Sequence, residues 1–276
     1  MLITVERGDP DRPLSRQVLH AEVLRNVNII NRGSSLHTLG TPLGTNIVTI
    51  SNLPQGFYPP SFIPPQVVYA SKDNKGAGGV GFGSGGASFT YRQVRGFSQG
   101  DRYLLTLVYE DASGNSGILY RKGFTGGNVS VILPSPWASK AIWISGSAHP
   151  QIAGLNRTDT NLKAYRFSLY NSNYDPNSVR NVNVLATKGW LGSNTTFTIP
   201  DLSWALNYTP FPLGSNINAS ISAVFSPNPL RLGLGAVSLS DIFGLNDINA
   251  LTADLDIALA IAGGSYTVGG GPVRVP

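Results

Sequence analysis

The chain has no cysteine and little charge. Without a thiol there is no disulfide framework, no thiolate nucleophile and no cysteine-ligated zinc. Asp, Glu, Lys and Arg make up 13% of its 276 residues, against roughly 25% in an ordinary soluble domain. The glutamates are Glu6, Glu22 and Glu110, and the histidines are His20, His37 and His149. No two of these histidines stand at i, i+2 or i, i+4, so the sequence offers no local metal pair. There is no G-x-S-x-G elbow for a serine nucleophile and no stretch of ~18 apolar residues to span a membrane as a helix. The opening MLITVERGDPDRPL lacks the apolar run of a signal peptide and carries Glu6, Asp9 and Asp11. The expectation is a chain used where it is made.

What is present is glycine, proline and neutral polar residues. Gly 32 and Pro 19 imply many turns and short elements. Low charge has a physical consequence. A free monomer stays soluble through charge. A surface of Asn, Ser, Thr and Gly can instead be covered by neighbours without burying unpaired ions. The balance of 20 basic to 15 acidic residues is mildly positive, and no basic run exceeds Arg121–Lys122. No basic tract interleaved with aromatics occurs, so specific nucleic-acid binding is not expected. A mildly basic surface suits water or an acidic partner such as a phospholipid layer.

Hydrophobicity alternates with a period of two. In NINASISAVF, at 216–225, Ile217, Ala219, Ile221, Ala223 and Phe225 share one face. In ALTADLDIALAIA, at 250–262, the leucines and isoleucines fall on one face, and Asp254, Asp256, Ala258 and Ala260 fall on the other. A helix would bury one of those aspartates, so a long strand with one wet or partner-facing side is expected. Further strands are expected at 18–30, 46–51, 67–71, 87–95, 103–109, 118–121, 129–133, 141–145, 164–170, 182–187, 195–199 and 230–239. A short helical turn is expected near 240–246, capped by Ser240. Strands this dense with hardly any helix mean a sandwich, jelly roll or barrel.

Two stiff proline-rich stretches, 54–65 and 208–212, cannot sit in a central strand. They divide the chain into a base jelly-roll or β-sandwich domain, 1–53 plus 213–276, and an inserted outer β-sandwich, 66–207. A plain division near 150–160 competes with this.

The segment KDNKGAGGVGFGSGGASF, at 72–89, matches the dinucleotide fingerprint G-x-G-x-x-G twice. That fingerprint needs a helix N-terminus after it to hold the pyrophosphate. SFTYRQVR follows, which is β-branched, aromatic and alternating. It is a strand, and no Lys-Ser/Thr pair makes a P-loop. The glycines are therefore expected to form a mobile tip. No catalytic constellation, metal site or cofactor site emerges from the other residues. Asp254 and Asp256 suit an interface or solvent, with a weak cation site or a glycosidase pair as lesser readings. Trp143 is expected in the core. Trp137, in PSPWASK, and Trp190, in KGWLG, are expected in exposed loops, where tryptophan marks contact surfaces.

In the alternating strands 216–225 and 250–262, the arm-like 1–14 and the proline-rich 54–65 leading to an insert, the chain resembles the single-jelly-roll major capsid proteins of tailless, membrane-containing phages of thermophilic bacteria. The resemblance is one of architecture, without a signature motif. It implies a purely structural subunit of the virion that assembles with copies of itself and a partner capsid protein into an icosahedral shell over a lipid membrane. The alternative is a bacterial cell-surface or secreted β-sandwich, such as an adhesin, S-layer component or carbohydrate-binding module. GSNTTFTIPDLS, at 192–203, resembles loop-strand segments of such domains. A trimeric tail fibre and a hydrolase rank below these.

Overall fold

The computed structural model describes residues 2–8, 16–25, 38–61, 63–72, 77–171, 181–201, 211–229 and 256–275. The chain is all-β, built of sheets that are mostly antiparallel and stacked as sandwiches. In chain order the strands begin with β1 (Leu2–Arg7), β2 (Gln17–Val23), β3 (Thr45–Ser51), β4 (Phe57–Tyr58), β5 (Gln66–Ala70) and β6 (Ala77–Phe82). They continue with β7 (Ser88–Arg92), β8 (Arg102–Asp111), β9 (Ser116–Phe124), β10 (Val129–Ile132), β11 (Ile142–Ile144) and β12 (Gln151–Ala153). Then come β13 (Leu162–Asn171), β14 (Asn181–Thr187), β15 (Thr196–Thr198), β16 (Asn216–Phe225), β17 (Asp256–Thr267) and β18 (Val273–Val275). A single turn of helix, α1 (Lys188–Leu191), follows β14, capped where Thr187 Oγ1 accepts from the Trp190 N–H.

The chain forms two compact units. The first takes Met1–Tyr109, Tyr120–Leu133 and Arg231–Asp256; the second takes Glu110–Leu119, Pro134–Leu230 and Ile257–Pro276. In the first unit a sheet of order β10-β3-β7 stacks on one containing β8-β5-β6. Tyr91 of β7 meets Tyr103 of β8 with ring centroids 5.1 Å apart, and Phe124 of β9 at 5.6 Å. Each buried aromatic brings a large apolar area and a preferred edge or offset geometry, so a few rings fix the sheets' separation. In the second unit the neighbours β14-β13-β16-β17 stack on a sheet of order β15-β12-β11-β18. Phe167 of β13 lies parallel to Phe197 of β15 at 4.9 Å.

These units do not follow the expected boundaries of 1–53 plus 213–276 and 66–207. β3 lies between β7 and β10, which binds 45–51 to 88–92 and 129–132. β16 pairs with β13 from Ile217 to Phe225, which binds 217–225 to 162–171. Pairing between distant segments, rather than stiffness of a connector, sets the grouping. The stretch 54–65 contains β4, which pairs with β8 inside the first unit. Most of 208–212 lies outside the described residues, as do the expected strand 230–239 and the helical turn near 240–246.

Three local expectations are corrected. The N-terminal arm is a strand where it is described: β1 pairs antiparallel with β2 from Leu2↔Val23 to Arg7↔Gln17. Part of the glycine segment, 77–82, is also a strand. β6 pairs with β5, and β7 follows as expected after the turn at 83–87. Its glycines allow close packing: a Cβ on Gly81 would lie 2.7 Å from the Thr90 carbonyl oxygen. Finally, the face of β17 expected to be wet or partner-facing is covered within the chain itself at Ala258 and Ala260, which are buried along with Ile257 and Leu259.

Candidate functional site

Of the four residues expected to make contacts, only Trp190 is exposed where the structure describes it. It keeps 70% of its surface on α1, with its ring edge on Phe197 at 5.7 Å. Trp137 is 6% exposed. Its indole N–H donates to the Ala260 carbonyl at 3.0 Å, and its ring lies 6.1 Å from Tyr165. The Arg157 guanidinium sits 5.2 Å from the ring centroid, steered by two hydrogen bonds to Asp159 at 3.0 and 3.1 Å. PSPWASK is a loop, as its prolines require, but it folds down over β17. The small side chains of that strand leave room for the indole. Trp143, expected in the core, is half-buried.

Asp256 is not a free contact acid. It accepts from the Tyr120 hydroxyl at 2.7 Å and pairs with the Lys122 ammonium. Burial, with the carboxylate beside it, raises the Tyr120 phenol and keeps it a donor. Asp254 lies outside the described residues. No cluster of three or more metal-ligating side chains occurs among the described residues, and no helix there is long and apolar enough to cross a membrane.

Two buried polar groups anchor the first unit. Asp101, with its side chain fully buried, accepts from the Tyr69 hydroxyl at 2.9 Å, the Ser98 N–H at 2.9 Å and the Lys72 N–H at 3.1 Å, and pairs with Arg25. Burial alone would raise its carboxyl. The donated hydrogen bonds and the guanidinium outweigh that and hold it below the usual carboxylate range. On β2, His20 Nε2 lies 3.1 Å from Glu22 Oε2, which also accepts from the Gly40 N–H at 3.0 Å. The second group ties the 38–44 segment to β2 and has a structural use. His149 meets Asp201 at 3.6 Å on a solvated surface, and His37 lies outside the described residues.

The surface feature that sequence reasoning did not localise is the outer face of the β10-β3-β7 sheet. Along β3, Val48 and Ile50 point into the sandwich, while Thr45, Ile47, Thr49 and Ser51 are exposed. Ser88 and Thr90 of β7 and Ser130 and Ile132 of β10 continue that face. Register places Thr90 beside Ile47, Thr49 between Ser88 and Ser130, and Ser51 beside Ile132. Ile47 and Ile132 stay 46% and 74% exposed. No charged side chain interrupts these eight positions. At the end of the face, Arg92 turns back to donate to the Val18 and Leu43 carbonyls. The signal was present as alternation, but which sheet would leave its second face bare depends on strand order.

No family model and no curated protein matches the chain. Among solved structures it is similar to one described as the crystal structure of chicken CNTN1 FN1-FN3 domains. The identity is 9% and the TM-score 0.23, covering 67% of this chain and 61% of that one. At that level the likeness decides nothing about what this chain does.

Proposed function

We propose that the chain is a structural subunit that assembles with copies of itself and a companion protein into a closed shell, as a viral capsid protein does. The observation that carries this reading is the uncharged Thr/Ser/Ile face of the β10-β3-β7 sheet. A sheet face kept in water normally carries charge, both for solubility and to block edge and face pairing. A Thr/Ser/Ile face can be covered by a sister molecule with no charge to desolvate. Burying what remains exposed of Ile47 and Ile132 there contributes on the order of 1–2 kcal/mol each. The low charge of the whole chain fits the same need. In a shell over a lipid layer, the basic surplus would face the anionic headgroups. The reading places the chain in the virion and assigns it no catalysis.

The test is the mass of the purified protein by light scattering, with and without its companion shell protein, followed by negative-stain imaging. Rings or shells are expected. Ile132→Lys should abolish them while leaving circular dichroism and the melting temperature unchanged. A species that stays monomeric at every concentration, with the companion present, would refute the proposal.

A further inference from the structure

The first unit also contains an open groove of roughly 410 Å³, set between β3, the segment after β7 and the turn after β9. That volume lies within the roughly 300–1,000 Å³ of small-molecule sites. None of its lining side chains carries a charge. Tyr103 is the one titratable group, and burial pushes its phenol up to about 12, so it too stays neutral.

The polar groups are fixed in advance. Gln93 donates from Nε2 to Asn46 Oδ1 at 3.1 Å, Asn46 donates from Nδ2 to the Tyr91 hydroxyl at 3.0 Å, and that hydroxyl donates to the Gly127 carbonyl at 2.7 Å. The relay leaves Gln93 Oε1 as an acceptor with no hydrogen bond among the described residues. Beside it, Phe97 is stacked on Tyr103 with centroids 5.0 Å apart and 13° between planes, and its ring is partly open. Gly126 and Gly127 form the other wall at φ of 137° and 80°, values that glycine adopts without strain, and a Cβ on Gly127 would meet open space.

We propose that this groove binds a neutral saccharide. The ligand class follows from the lining. An uncharged site gives phosphate, carboxylate and ammonium groups no ion pair to offset the cost of stripping their water. A rigid amide flanked by an aromatic ring matches a molecule with hydroxyls that both donate and accept, and with an apolar C–H face to lay on the ring. The bare glycine wall lets a ring-shaped ligand approach the backbone. This site is independent of the shell reading, because it uses the inward-facing Asn46 of β3 rather than the outer face.

The experiment is saturation-transfer NMR on the whole chain, with maltotriose, cellotriose and diacetylchitobiose each at about 5 mM, enough to fill most of a site whose dissociation constant is about 1 mM. At least one sugar should receive saturation. Its dissociation constant should rise at least about tenfold, equivalent to 1.4 kcal/mol, in both Phe97→Ala and Gln93→Ala. Trp190→Ala, altered in the other unit, should bind as the unmodified chain does. Amide spectra of the two groove variants, compared with the unmodified chain, report whether the fold is kept. No saturation of any of the three sugars overturns the proposal. So does binding that survives both groove substitutions in folded protein, or that disappears with Trp190→Ala.

Discussion

β3 and β16 both alternate, and their second faces end in opposite environments. On β3 every other residue faces solvent, from Thr45 to Ser51. On β16 the second face is open only at its start: Asn216 and Asn218 are exposed, Ser220 is half-buried, and Ser222 and Val224 are covered. β17 behaves like the covered end of β16, with Ile257 to Ala260 buried in an unbroken run. The difference lies in what is stacked on them. Trp137, hydrogen-bonded to Ala260, roofs the small side chains of β17. Within the described residues, nothing comparable covers Ile47 and Ile132. Alternation therefore reports that a strand has two unlike faces. It does not report that one of them is wet.

The largest effect should come from the covered strands. Phe167→Ala removes a fully buried ring stacked on Phe197 and should cost about 3–5 kcal/mol in urea unfolding. A loss under about 1 kcal/mol would mean the second unit is not closely packed there. Next comes Asp101→Asn, which exchanges a charged acceptor for an amide against the same surrounding donors. It should cost about 2 kcal/mol at neutral pH.

Asp101 also makes a pH prediction. Its folded carboxyl lies below the ordinary value near 3.9, so in acid the unfolded chain binds the proton first. The stabilisation is complete above roughly pH 5 and falls away as pH drops through the folded value. Unfolding free energies measured from pH 6 to 2 should fall more steeply in the unmodified chain than in Asp101→Asn. Parallel curves would remove Asp101 from the account.

Ala260→Leu probes the covered face directly. Overpacking beneath Trp137 should cost about 1–3 kcal/mol, whereas a wet face would accept leucine at no cost. The smallest effect belongs to the bare sheet. Ile132→Ser should change unfolding free energy by less than about 0.5 kcal/mol and still weaken association in sedimentation. A large stability loss there would mean that the face is covered within the chain itself.

Much of the strand content was legible in the residues. β16 spans the ten residues whose alternation marked it, and β3, β5, β8 and β10 fall within a residue or so of expectation at most ends. The rejection of a dinucleotide loop rested on SFTYR being a strand, and β7 is one. The glycine strand β6 escaped because glycine has low strand propensity. Its pairing with β5 and the close approach of Tyr91 supply what propensity lacks. Trp137 escaped because a loop sequence says that the backbone is irregular, not which way the side chain turns. The groove escaped because Asn46, Gln93 and Phe97 mean nothing apart from one another.

The sequence by itself determined the all-β class, the two-residue period of its strands and the shortage of charge, because these follow from local sterics and composition. Only the tertiary structure decided which faces are covered, which tryptophan is buried and which distant segments share a unit. Those outcomes depend on pairing between residues far apart in the chain, such as Thr49 with Ser130 and Ile221 with Phe167. No local window contains both members of such a pair.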